Sequence, residues 1–367
     1  MAKHFKSGLG TRLGLLACSL LTTTQAAADS LEFNTLYRSP YFLGRGDTAV
    51  ATADNHEAIF YNPAGLALGS GIYKETVLVS PSAQVSTQTK DLVRQAVVQK
   101  ENSADQLKAF AGKNVHLGVN NFTGVVFRRF AIGVLASANT NIMLSKSPDA
   151  NGLDTLHGDA NVNRVATMSA AEGFFDNSLL IGTTLKYILR NEASIDVSAA
   201  DANNIADKLD SNDVKKDRKG YGADLGFMLR PKSWPLSLGL HVENLGTTKL
   251  KAAENGVEGK RLPQIVTLGL AVEKSTKTSS LAFMADFRDA LGSVETNGFK
   301  RTHLGAEVRF GRFIGLTGGL NQGYPTVGFF TNLYIVRMDL GLMTEEVGSS
   351  AGLRPDQRVM FRLMAGF

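Results

Sequence analysis

The chain has 367 residues, a formal net charge of +5, 37 glycines and a single cysteine. No window reaches the roughly eighteen consecutive apolar residues of a membrane-spanning helix. The mild basic excess is spread along the chain and forms no patch, which argues against a nucleic-acid partner.

The first predicted element is a leader. Lys3, Lys6 and Arg12 precede the apolar run "LGLLACSLL", and the small residues Ala26–Ala28 then meet Asp29. A charged start, a short apolar core and an A-x-A site are the pattern of a secretory signal peptide, here residues 1–28. A lipoprotein signal ending at Cys18 fits less well, because the apolar run continues past that cysteine. Removal of the leader leaves a mature chain from Asp29 without cysteine, and so without a disulfide.

Residues 29–71 do not alternate and are rich in small side chains. Asn62 before Pro63 reads as a helix start. The Asn side chain accepts from an orphan amide, and proline suits the first helical position. A short turn over "PAGLA" should follow, and Asn62→Ala should cost about 1 kcal/mol of cap stability. Such a segment, with Asn62, Pro63, Ala64 and Gly65 at its centre, fits a hatch folded into the lumen of a barrel. Its aromatic residues Phe33, Tyr37, Tyr41, Phe42, Phe60 and Tyr61 either pack the hatch or line a ligand pocket.

From residue 72 the pattern changes to period two, that of strands with two different faces. In "VMFRLMAGF", Val359, Phe361, Leu363, Ala365 and Phe367 fall on one face, with Arg358, Met360, Arg362, Met364 and Gly366 on the other. "YIVRMDLGL", "LSLGLHVEN" and "YGADLGFMLR" behave alike. Strands are expected near 72–88 (bent at Pro81), 119–128, 130–138, 161–173, 178–190, 220–230, 236–245, 262–274, 278–288, 301–310, 312–320, 325–331, 334–345 and 356–367. About ten residues suit a tilted crossing of a bilayer. Tyr187, Tyr221, Tyr334 and Phe367 fall near the ends of the apolar face.

Links alternate in length. Short ones lie near 128–130, 174–177, 231–235, 274–278, 310–312 and 331–333. Long ones lie near 139–161, 191–219, 246–261, 289–300 and 345–356, with a moderate one at 321–324. Short turns at one end and long loops at the other describe an outer-membrane barrel whose short-turn end faces the periplasm. The expected fold is therefore all-β: a transmembrane antiparallel β-barrel of about 14 strands over residues 72–367, with a lumenal hatch. Two segments leave period two. Residues 90–112 read as short helices, with a capping box at Ser103–Gln106 and Gly112 as a C-terminal cap. Residues 196–218 are polar, with Ile205 and Leu209 at helical spacing. Each is a solvated loop or a lid.

Motifs for chemistry are weak. "GRGDTA" lacks the strand and acidic ligand of a dinucleotide site. "RGD" at Arg45–Asp47 is more simply chance than an adhesion motif. Ser237 and His241 share a face but lie roughly 13 Å apart along a strand, too far for a nucleophile and its base. His56, His116, His157 and His303 show no metal-ligand spacing. No enzyme, cofactor or metal site is expected. The inward charges stand out instead: Lys186, Arg190, Asp224, Arg230, Glu243, Asp286, Arg288, Glu307, Arg309, Arg337, Asp339, Arg358 and Arg362. They form either ion pairs holding hatch and wall or a polar route, in which Arg can grip a carboxylate headgroup by two bonds.

"GRGDTAVATADNHEAIFYNPAGLA" resembles the N-terminal region of the FadL-type long-chain fatty-acid transporter superfamily, nearest its TraF-like branch and more distantly PorV-type proteins. Gly44, Gly46, Ala49, Ala53, Ala58, Tyr61, Asn62, Pro63, Ala64, Gly65 and Leu66 carry the match. "LAFMADFRD", Leu281–Asp289, is similar to a late strand of that superfamily, and Phe367 to the terminal signal read by the outer-membrane barrel assembly machinery. The resemblance implies a 14-stranded barrel in the outer membrane of a Gram-negative bacterium. It also implies a monomer surrounded by outer-membrane lipid that passes hydrophobic small molecules such as long-chain fatty acids. The alternative is a structural or assembly partner of a secretion or conjugal-transfer machine. An outer-membrane lipid hydrolase ranks third, for want of a catalytic constellation.

Overall fold

A computed structural model describes residues 35–69, 71–89, 114–145, 155–198, 215–252, 258–311, 313–348 and 351–367. The leader, Phe33, the whole 90–112 segment and most of 196–218 lie outside the described residues.

Seventeen strand segments form one closed antiparallel sheet. They are β1 (Tyr73–Val79), β2 (Ser82–Ser86), β3 (Asn114–Phe127), β4 (Phe130–Ser145), β5 (Thr155–Phe174), β6 (Leu179–Ser198), β7 (Lys215–Leu229), β8 (Leu236–Glu243) and β9 (Thr248–Ala252). β10 (Glu258–Leu262), β11 (Ile265–Ser275), β12 (Ser279–Phe287), β13 (Thr302–Phe310), β14 (Ile314–Asn321), β15 (Tyr324–Leu333), β16 (Val336–Glu346) and β17 (Pro355–Gly366) complete it. Three crossings are each built from two segments, β1 with β2, β8 with β9, and β10 with β11, so the wall has fourteen crossings. The first breaks at Ser80-Pro81, where proline has no amide for the ladder. The barrel closes where β17 pairs with both β1 and β2.

Alternation dictates which face is which. On β17, Val359, Phe361 and Leu363 point outward, and Arg358, Met360 and Arg362 are buried inside. The outward belt continues through Leu340, Leu316, Phe283, Leu270, Leu185 and Val134, all exposed. Aromatic contacts mark the short-turn end: Tyr73 packs against Phe127 and Phe367, and Phe313 against Tyr334. An apolar belt with an aromatic rim is the surface of a barrel solvated by lipid.

Three expectations need correction. The strands are not uniformly about ten residues, since β5 and β6 each have 20. "HGDAN" lacks an apolar face and "NEASIDVS" opens on Asn191-Glu192, so both strands were expected to end early, yet they continue the ladder, with the apolar Ala193, Ile195 and Val197 alternating in the second. The expected loop at 246–261 is in part a hairpin, β9 paired with β10. The link near 321–324 is a two-residue turn. Gln322 and Gly323 both adopt positive φ there, the geometry that matches the twist of paired strands.

Residues 35–69 fold inside the barrel. They contain α1 (Pro40–Leu43), α2 (Ala58–Tyr61) and a 3-10 turn over Pro63–Ala67. Leu43, Ala58, Ile59, Ala64, Leu66 and Ala67 have no exposed surface. The core therefore lies in the lumen, between this hatch and the inward faces of the strands.

Candidate functional site

The hatch is seated backbone to backbone. Gly182 of β6 and Gly226 of β7 are cross-strand partners. A side chain at Gly182 would collide with the Pro63 carbonyl group, and one at Gly226 with the Asn62 amide. Gly239 receives the Val50-Ala51 main chain in the same way, while its cross-strand partner Gly269 lies against the Asp286 and Val50 side chains and the Ala51 amide. Within the hatch, Gly65 lies so close to the Ala53 carbonyl that no Cβ fits.

Asn62 does more than cap. Its Oδ1 accepts from Ala64 N at 3.2 Å. Its Nδ2 donates to Val50 O at 2.6 Å and to Phe227 O, on β7, at 3.1 Å. The side chain thus ties three backbone groups together, one of them in the wall. The cap alone understates its contribution.

The inward charges sort into clusters, and three of these bridge hatch and wall. In the first, Arg362 pairs with Glu57 at 2.5 Å and Asp339 at 2.7 Å, Arg337 pairs with Asp339 at 2.9 Å, and Tyr37 OH donates to Glu57 at 3.1 Å. In the second, Arg45 pairs with Glu307 at 2.9 Å, and Glu307 also binds Arg309 and accepts from Tyr41 OH. The Arg45 and Arg337 guanidinium groups lie 4.8 and 4.4 Å from the centre of the Tyr41 ring. In the third, Arg38 pairs with Glu345 at 2.9 Å, while Asp47 receives Arg38 at 3.4 Å and Arg288 at 3.3 Å. Elsewhere Lys186 pairs with Asp224 at 2.7 Å, and Arg358 with Asp356 at 2.7 Å. Arg190, fully buried, lies 3.8 Å from Glu192. Arg230 departs from its expected place. It lies just beyond the end of β7 at the short-turn rim, a third exposed, 3.8 Å from Glu273.

Burial dominates the electrostatics of the hatch. Burial opposes charge on Glu57, but the Arg362 guanidinium more than compensates and holds its carboxyl well below the usual range. Burial pushes the Tyr41 phenol up to about 12 against the pull of Arg45, so it remains a donor to Glu307.

A cavity of about 40 Å³ opens between hatch and wall. Its wall includes Glu243, Arg288 and His303, which lie at the ends of β8, β12 and β13 that meet the longer connections. The cavity therefore sits on that side of the hatch. Leu36, Tyr37, Val50, Phe60 and Tyr61 are apolar and aromatic lining residues, and Lys186, Asp224, His241 and Asp286 are polar ones. Of the expected lining aromatics, Tyr37, Phe60 and Tyr61 reach it. Tyr41 instead packs edge-on to Phe330 at 5.2 Å, and Phe42 against Tyr61 at 4.6 Å.

Sequence reasoning passed over His241 and His303 as lining residues. Their positions on the inward parity of β8 and β13 were the available signal. His303 Nδ1 is 2.9 Å from Gly46 O. Asp286 Oδ2 accepts from the amides of Ala49 at 2.7 Å and Val50 at 3.0 Å. Asp286 Oδ1, His303 Nε2 and His241 Nε2 are buried without a hydrogen-bond partner.

No protein-family model and no curated protein matches the chain. Solved structures do. The monoaromatic hydrocarbon channel CymD aligns with a TM-score of 0.54 at 12% identity, covering 91% of this chain and 98% of its own. The Ralstonia pickettii toluene transporter TbuX aligns at 0.52 and 14% identity, covering 91% and 99%. The Pseudomonas putida toluene transporter TodX aligns at 0.50 and 11% identity, covering 93% and 99%. The chain has the fold of these barrels over nearly their whole length.

Proposed function

We propose that the protein is an outer-membrane channel of the FadL type that admits hydrophobic small molecules. One observation carries the reading: a closed barrel of hydrocarbon-channel fold holds an internal hatch, and an aromatic-sided cavity opens against that hatch. Small-molecule sites are concave, with apolar walls and a few placed polar groups. The hatch makes the lumen a gated route. In this reading residues 1–28 are a cleaved leader, residues 29–71 the hatch and residues 72–367 the wall. Outer-membrane lipid surrounds the apolar belt, the barrel assembly machinery inserts the chain, and it works as a monomer. The TraF-like branch is supported by the match around Asn62–Leu66. A scaffold for a transfer machine needs no such cavity. The test is uptake of radiolabelled toluene and of a long-chain fatty acid by a deletion strain and its complemented parent. Complementation should raise uptake of at least one probe, and unchanged uptake of both would sink the proposal.

A further inference from the structure

The cavity has a chemical preference of its own. Among its lining groups are four carboxylates, Asp47, Asp224, Glu243 and Asp286, and three fixed cations, Arg38, Lys186 and Arg288. All three cations have carboxylate partners: Asp47 receives Arg38 and Arg288, and Asp224 receives Lys186. Asp286 and Glu243 have no ion pair among the described residues. Asp286 is 4% exposed, and only its Oδ2 is engaged, by hatch amides. Its neighbour across the ladder is His303, 2% exposed. Gly46 O is an acceptor, so His303 Nδ1 carries the proton, and in the neutral ring Nε2 is an acceptor too. Asp286 Oδ1 and His303 Nε2, on cross-strand partners, are thus both buried acceptors without a donor. A buried acceptor without a donor is costly, and a charged donor satisfies it best. The rings of Tyr37, Phe60 and Tyr61 also line the cavity.

We propose that this cavity is a binding site for aromatic or alkyl compounds bearing a primary ammonium group. The ammonium donates to Asp286 and His303 with Glu243 adding charge, and the apolar body lies against the hatch aromatics. This names the headgroup for the channel reading and rests on that reading for its access route.

The test is equilibrium binding to the purified full-length barrel in detergent, by calorimetry. The probes are 2-phenylethylamine, 2-phenylethanol and phenylacetate, which share a ring and differ in headgroup. The amine should bind about tenfold or more tighter than the alcohol, and phenylacetate weakest, as expected when a charged donor replaces a neutral one or a like charge. Asp286→Asn keeps an oxygen for Ala49 and Val50 but turns a donor toward the ligand, and should weaken amine binding about tenfold. Glu243, which lies outside the hatch bonds, supplies a second variant. Glu243→Gln should weaken the amine about threefold, the loss of one neighbouring charge, and leave the alcohol unchanged. Phenylacetate binding as tightly as the amine would overturn the proposal, as would amine affinity within twofold of wild type in both folded variants. Normal amine discrimination in a protein that takes up neither toluene nor fatty acid would count against the channel reading alone.

Discussion

Asn62→Ala tests whether the hatch is locked by one side chain. The change removes the cap on Ala64 N and the donors to Val50 O and Phe227 O. The cap contributes about 1 kcal/mol, and each further bond about 1 kcal/mol. A hypothesis follows: opening of the hatch around Pro63–Ala67 becomes about 3 kcal/mol easier, some 150-fold in its equilibrium constant at about 1.4 kcal/mol per factor of ten. Native-state hydrogen exchange reads this directly, because amides released by local opening exchange in proportion to that constant. Ala64, Gly65 and Leu66 should exchange about 100-fold faster in the variant, while amides in the β5–β6 ladder keep their protection. Asn62→Asp separates the contributions. It retains the cap oxygen and loses both donors, so it should still accelerate exchange. Acceleration below about tenfold in Asn62→Ala would show that the glycine seats, rather than Asn62, hold the turn.

Three further outcomes are expected. Glu57 is held in its charged form, so its stabilising effect is present above its ordinary value of 4.5 and is lost only as pH falls further. Hatch protection factors, which correct for the intrinsic pH dependence of exchange, should be flat from pH 8 to about 5 and fall below that, and Glu57→Gln should reduce the acid dependence, leaving the part carried by Glu307. A hatch that loosens between pH 8 and 6 would show that another group governs it. Phe367 exchanges two backbone bonds with Thr76, at 2.6 and 3.0 Å, where the last strand meets the first. Its deletion should lower the folded fraction seen by heat-modifiable gel mobility without lowering synthesis, and an undiminished fraction refutes that closure role. Deletion of Asp29–Gly69 should leave a folded barrel with higher single-channel conductance in a planar bilayer; a folded variant conducting no more than wild type would mean that the segment does not occlude the lumen.

The wall was legible because its two faces meet different surroundings. Every second residue of "VMFRLMAGF" meets lipid-like exposure or the lumen, and parity alone separated them. Strand ends were less legible where β5 and β6 run past the apolar belt, because polar and small residues at 157–161 weaken the period, and Asn191-Glu192 interrupts the composition though not the alternation, while backbone pairing persists. Helix chemistry marked Asn62-Pro63 as a start, and the cap bond to Ala64 is present. Its tie to Phe227 was not legible, since 165 residues separate the two. The same limit hid the cavity. Gly46 meets His303, itself paired with Asp286 across the ladder, only when hatch and wall are brought together. Arg230 had the right parity but lies past the strand end, where parity no longer fixes direction.

The paired glycines bear on how such a hatch can move. At Gly182 and Gly239 the plug's main chain, Pro63-Ala64 at one and Val50-Ala51 at the other, meets bare main chain with no side chain between that can flex. A cushion of Leu or Met would yield by changing rotamer and permit continuous breathing. Here a shift toward one seat is a collision, and a shift away strips contacts that nothing refills. Movement is therefore quantised: a segment is either in its seat or out of it, and the hatch parts in pieces set by the seats, Asn62–Ala64 at one and Val50-Ala51 at the other. Single-channel records should accordingly show a few fixed levels, and a smooth continuum of conductance would mean that the main-chain contacts give way more readily than their spacing implies.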